Sequence, residues 1–550
     1  MKFVKVLLNS LLSGFFSCLL LSLLISDLNI NLHFDLRFFF QLSFFLFLTY
    51  GVAISFLCFI SFFIIQFFFG RRFKIAIVSP SFLSISFTFI LFLFLWLFKQ
   101  NRSYFKSLFS AETENILKIQ SILLLAGAII GLVAFYGYNR YRKKSLVFIL
   151  YFILLFAALV YCINLRFQYA MPIQIKKVAN IEAKEIDKKI TIIGLEGLSF
   201  DFLIPAINEG KLPNFSWLME NGSWGKLESF PPSEPIIFTN SFSTGKLPSK
   251  HRLISLFTFH PWNVSEPIEV TPRYILFRQM TKSGLLRVLP NRSSPRIKDI
   301  WEIFKENGTS YIKKDWPYEL QNPEPSPRAE KLFSVFFDEM EFAPADIFRT
   351  IQQAFYRDFA YEEKVSQERG ENPPQILYFL LNGLNAVETC FYKYSFPDLF
   401  GDIDQEDITR YGKVIEKYYE FYDQIIGKYL AGLKEDELLV VFSPHGIEPL
   451  PLWKRFIERL IGNVDVSAYH ESAPESAIFF YGKDILRGNN IVGMNLIDVV
   501  PTLLNYLGLP VGKDMDGLVN TSIFVETFKK ENPILYISSY EEITIARSKK

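Results

Sequence analysis

The sequence predicts a two-part protein: an all-α transmembrane region, then an α/β domain whose mostly parallel sheet is sandwiched by helices. Five long apolar runs fill the first 165 residues. Beyond residue 189, short apolar β-branched runs alternate with amphipathic stretches. Nearly all acidic residues lie beyond residue 180, so the overall balance of 58 Lys and Arg against 56 Asp and Glu describes neither part.

A bilayer core needs about 20 apolar residues per helix, because no backbone polar group can be left unpaired in hydrocarbon. Residues 4–26, 38–69, 77–98, 115–138 and 145–165 meet that need within a membrane region of 1–168. The first run follows Lys2 and Lys5 as a signal peptide would. It lacks a small-residue cleavage site and four more runs follow, so it is read as retained. The second run is over-long, and halves split near Gly51 would be shorter than the bilayer core; one tilted helix is expected.

Orientation follows from the basic residues of short loops. With the N-terminus inside, the cytoplasmic side receives Lys2, Lys5, Arg71, Arg72, Lys74, Arg140, Arg142, Lys143 and Lys144. The other side receives fewer: Arg37, Lys99, Arg102, Lys106 and Arg166. Five spans then place the C-terminal domain outside the cytoplasm of a multi-pass cell-membrane protein.

Three classes are disfavoured. No basic stripe interleaves with aromatics, so no nucleic-acid partner is expected. Ionisable residues are almost absent from the five runs, which argues against a transporter or channel. Only Cys390 lies in the soluble part, which therefore cannot hold an internal disulfide. The bilayer itself is the expected partner.

After a polar linker (169–188), a domain is expected over 189–530, followed by a tail over 531–550. The runs 189–195, 377–381, 438–443 and 477–482 read as buried strands, with helices at 407–433 and 497–508. In parallel sheets the functional groups gather at strand carboxyl ends. Those ends carry Glu196, Asn382 with Asn385, and Ser443-Pro444-His445-Gly446, and His470 lies just before the strand at 477. Ser233-Glu234-Pro235 opens a helix, where a hydroxyl either caps the helix or meets a phosphate.

Taken in order, these segments resemble the alkaline phosphatase superfamily, in particular its type I phosphodiesterase and nucleotide pyrophosphatase branch. The matching stretches are 192–222, 243–251 (STGKLPSKH), 296–319, 440–446 (VVFSPHG), 470–485 and 497–517 (IDVVPTLLNYLGLPVGKDMDG). The resemblance implies an alkaline-phosphatase-like core and, in active members, two divalent ions, usually zinc, flanking a Ser or Thr nucleophile. Metals suit phosphoryl transfer because they deprotonate the hydroxyl and neutralise the transferring group.

Carried over residue by residue, that pattern is altered here. Glu196 stands for the Asp after the first strand, and Pro444 for the Asp of Asp-His-Gly. Asn385 and Thr389 stand for the Asp and His of Asp-x-x-x-His. His445 and His470 are kept. Ser233 matches the nucleophile position, with Thr239 a poorer match. Glu388, Glu448, Glu471 and Glu475 are the carboxylates close enough in sequence to replace a lost ligand. The residual metal positions are thus Glu196, His445 and His470. The expectation is a pseudoenzyme that acts as a binding or scaffolding module with no cofactor. The alternative is an active hydrolase or phosphotransferase that uses zinc or another divalent ion on phosphorylated, lipid-linked or envelope-linked ligands. Residues 261–295 are expected to cap the site.

Overall fold

The computed structural model describes residues 2–69, 75–140, 144–169, 179–275, 278–291, 297–314, 325–337, 345–371, 373–401, 403–460, 463 and 465–546. Arg71, Arg72, Lys74, Arg142 and Lys143 of the orientation reading lie outside the described residues. So do parts of the linker, of the 261–295 segment and of the tail.

Two compact units emerge: Met1–Gln174 with Pro248–Pro295, and Ile175–Leu247 with Arg296–Lys550. In the first, Lys2–Leu28, Leu36–Phe68, Pro80–Tyr104, Ala111–Tyr136 and Leu146–Arg166 are long and apolar enough to cross a membrane. The second span is one continuous helix, as expected, with a π-helical turn at Phe47–Gly51 where a break was considered. A β-carbon on Gly14 would stand 2.4 Å from the Gly51 carbonyl oxygen, so here the first two spans meet backbone to backbone.

The spans run slightly longer than the apolar runs, and so enclose ionisable residues near their ends. Asp27 and Arg166 are both buried. Arg166 donates to the carbonyls of Ser26 (2.8 Å) and Asn29 (2.9 Å), and Asp27 accepts from the Tyr169 hydroxyl at 3.2 Å.

The segment expected as a cap is grouped with the membrane unit. The Asn29 side chain accepts from the backbone N–H groups of Glu269 (2.7 Å) and Val270 (2.8 Å) and donates to the Val270 carbonyl (2.9 Å). Asn101 accepts from Arg273 N–H, and Gln41 from Ser265 N–H. Because carboxamides carry both donors and acceptors, they can dock a backbone as a strand would. Nothing in the inserted segment's own pattern signals that docking.

The second unit is built on a seven-stranded sheet. Its strands are β1 (Lys189–Leu195), β2 (Ser223–Glu228), β3 (Tyr311–Lys314), β4 (Ile376–Leu381), β5 (Glu437–Phe442), β6 (Ser476–Tyr481) and β7 (Asn489–Asn495). They lie in the order β7–β2–β6–β5–β1–β4–β3, and only β6 runs antiparallel to its neighbours. Alternate residues feed two cores. Ile193, Phe379, Val441 and Phe479 face one set of helices, while Ile192, Tyr378, Val440 and Ile478 face the other. Burial on both faces explains the unbroken apolar runs.

Three elements differ from expectation. The 407–433 helix is two helices, Gln405–Tyr411 and Val414–Ala431. Within the linker, Ala179–Glu182 forms a strand that pairs in parallel with Ile543–Ala546 of the tail. Those termini are therefore sheet, not loose ends.

Candidate functional site

The topology brings the candidate residues to one end of the sheet. Parallel strands β1, β4 and β5 are neighbours, so their carboxyl ends deliver Glu196, Asn382 and Ser443 side by side. Because β6 is reversed, the chain entering it supplies His470 to that same end. From β2 the chain leads to Ser233 and the helix α1 (Pro235–Thr244). From β4 it enters α2 (Gly383–Ser395), which carries Asn385, Glu388 and Thr389.

Contacts tie these segments together. Gly197 N–H donates to Ser443 Oγ (3.1 Å) and to the His445 carbonyl (3.3 Å), joining the β1 and β5 loops. Gly197 has φ +97°, and a β-carbon there would stand 2.3 Å from Glu388 Oε2, so α2 approaches this loop closely. Ser233 Oγ donates to the His470 carbonyl at 2.5 Å. The N-cap position of the helix it was expected to cap falls one residue later, at Glu234, without a side-chain capping bond. Thr239 stands inside α1. The His445 and His470 rings stack, with centroids 4.2 Å apart and planes 14° from parallel, and Phe238 of α1 meets His445 edge-on.

Burial disfavours charge at the site. Burial pushes the Glu196 carboxyl up to about 8, against a 3.2 Å hydrogen bond from Asn382 Nδ2 and with Asp358 adding to the rise. Burial also raises Glu388 well above the carboxylate range, although the Tyr419 hydroxyl donates to its Oε1 at 3.2 Å. His445 is held well below its ordinary range by burial and by His470, and burial lowers His470 as well. Desolvation disfavours the charged form of every one of these groups. Glu196 Oε1, Glu388 Oε2, Asn385 Oδ1 and His470 Nδ1 are buried and have no hydrogen-bond partner among the described residues.

The donor set does not fit the two-ion centre that the resemblance implies. A metal bonds imidazole through an in-plane nitrogen lone pair at about 2.0–2.1 Å. Stacked, nearly parallel rings send those lone pairs along side-by-side planes, so His445 and His470 cannot share an ion. Separate ions would each need further ligands. Pro444 offers none, and Thr389 Oγ1 is bonded to the Asn385 carbonyl at 2.8 Å. Glu471 is paired with Lys454 at 2.6 Å and Glu475 with Lys226 at 2.6 Å. Glu448 sits in a short strand opposite Tyr469. Of the four possible replacements, Glu388 is the one that reaches the Glu196–Gly197 loop. Among the described residues no group of three or more His, Cys, Asp or Glu side chains could hold a metal ion. Tyr419, which fixes Glu388, escaped sequence reasoning because on its amphipathic helix, α3 (Val414–Ala431), it is one of several aromatic residues of the buried face.

The family model for type I phosphodiesterase / nucleotide pyrophosphatase matches residues 190–502. No curated protein matches the chain.

Proposed function

We propose a function for a chain that belongs to the type I phosphodiesterase/nucleotide pyrophosphatase family: a membrane-anchored pseudoenzyme whose sheet domain serves as a binding or scaffolding module. In this reading the domain stands outside the cytoplasm, supported by the bias of basic loop residues. The observation that carries the proposal is the ligand set itself. Pro444, Asn385 and Thr389 replace two carboxylates and an imidazole, and the carboxyls that remain, Glu196 and Glu388, are buried. A dication needs anionic ligands to stay bound and to lower the pKa of a nucleophile.

A second reading, an active enzyme with a remodelled site on a phosphorylated or lipid-linked ligand, has one observation in its favour. Glu196, Glu388, Asn385 and His470 each keep an unpartnered acceptor at the same end of the sheet.

The test is metal analysis of the purified full chain with added zinc, alongside hydrolysis of chromogenic phosphate mono- and diesters. Substoichiometric zinc and background hydrolysis are expected. The combined change Asn385→Asp, Thr389→His and Pro444→Asp should raise zinc binding. A full two-ion complement in the natural chain, with diester cleavage abolished by Ser233→Ala, overturns the pseudoenzyme reading.

A further inference from the structure

Between His445 and His470 the chain forms a short helix, α4 (Leu452–Leu460). Its apolar residues recur at i, i+1, i+4 and i+5, one continuous arc of a helix. That arc faces away from the domain: Leu452 is 78% exposed, Trp453 47%, Phe456 65% and Ile457 41%.

The polar arc carries Lys454, Arg455, Glu458 and Arg459, and it anchors the helix. Lys454 pairs with Glu471, and the Arg455 guanidinium lies 3.9 Å over the Phe400 ring. Two of the three cations are thus committed to the domain. Arg459 has no ion pair among the described residues.

We propose that α4 is an interfacial helix, with its Leu452–Trp453–Phe456–Ile457 face seated at the headgroup–acyl boundary of a bilayer that contains anionic phospholipid. Three observations on this chain select lipid as the occupant. Trp, Phe and Leu on one arc with Lys and Arg on the other is the composition that lies in a membrane interface. Five spans in the same chain keep a bilayer at high local concentration. Arg459, a cation of the polar arc not committed to the domain by an ion pair among the described residues, complements an anionic surface. An apolar patch of this kind marks an interaction site on a soluble domain. Through Lys454 and Glu471 the seated helix holds the segment that carries His470. This inference does not depend on whether the site is catalytic.

The experiment uses the full chain in nanodiscs of phosphatidylcholine and phosphatidylglycerol. Its native cysteines are replaced by serine, and one cysteine, at Phe456 or at the exposed reference Val492, carries an environment-sensitive fluorophore. The Phe456→Cys label should emit blue-shifted light, lose emission to brominated acyl chains and resist aqueous iodide, while the Val492→Cys label does the reverse. Iodide quenching at both positions overturns the proposal. So does a blue-shifted Phe456→Cys label that brominated lipid does not quench, which would mean that a protein or a second copy covers the face. In the natural chain, a photoactivatable phospholipid should crosslink to the peptide 452–460; crosslinks confined to the spans overturn the proposal without any substitution.

Discussion

At the scale of single residues, the positions were legible but the partnerships were not. Glu196, Ser233, Asn385, His445 and His470 gather at one sheet end because chain order and strand direction decide where each goes. That His445 stacks on His470, or that Tyr419 holds Glu388, depends on side chains distant in sequence. Asp358 is a residue of the second kind. Buried behind α2, its Oδ2 accepts from Tyr418 (2.9 Å) and Tyr422 (2.7 Å) hydroxyls and from Gly383 N–H (3.0 Å). Burial nevertheless wins and raises its carboxyl from 3.8 to about 6. The folded state then holds the proton more tightly than the unfolded chain does. The resulting stability is fully present below pH 3.8 and is lost as pH rises through about 6. At ~1.36 kcal/mol per pH unit the effect is at most about 3 kcal/mol. Asp358→Asn keeps an acceptor for the same donors but cannot titrate. Thermal unfolding of the full chain between pH 4 and 6.5 should show a shallower fall for the variant than for the natural chain. Equal slopes would remove Asp358 as the titrating group.

At the scale of elements, periodicity served well where one element buries one face. The apolar runs became β1, β4, β5 and β6, and the over-long second run stayed a single helix. It served poorly where pairing is non-local. The strand Ala179–Glu182 finds Ile543–Ala546 across nearly the whole domain, and four residues carry too little pattern to announce it. The docking of the inserted segment is of the same kind. One carboxamide, Asn29, makes three hydrogen bonds to Glu269 and Val270, in a place where Val270 is buried. Removing it strands two N–H donors and a carbonyl, at about 1–3 kcal/mol for each buried group left unpaired. Asn29→Ala should therefore loosen residues 265–273 without unfolding the sheet domain. Hydrogen exchange of the full chain in detergent is the check: faster exchange at Glu269 and Val270 is expected, with β1, β4 and β5 unchanged. Unaltered exchange at Val270 would show that other contacts hold the segment.

At the scale of the whole molecule, the sequence showed one junction between membrane and soluble parts, and the structure has three. The chain passes between its compact units near Gln174, Leu247 and Pro295. The extra excursion was illegible because residues 248–295 contain no apolar run long enough to cross a bilayer; they dock by hydrogen bonds and form a small two-stranded sheet of their own. The excursion also constrains topology. Five helices alternate in direction, so Asn29 after the first, Gln41 near the start of the second, Asn101 near the end of the third and Arg166 at the end of the fifth fall on one side. The first three bind the inserted segment, and the fourth is where the chain leaves the membrane. If all five helices cross, the chain after Arg166 and the inserted segment are expected on the same side. On the orientation proposed from the basic-residue bias, that side is the outer one. Fusions after residue 175 and within the exposed turn at Gly284 should both be active with a reporter enzyme that works only outside, and both dark with a fluorescent protein that matures only in the cytoplasm. Two cytoplasmic signals would reverse the orientation while leaving the five spans intact. Opposite signals from the two positions would require a further crossing between 175 and 284, and that would break the docking of the inserted segment onto the span ends.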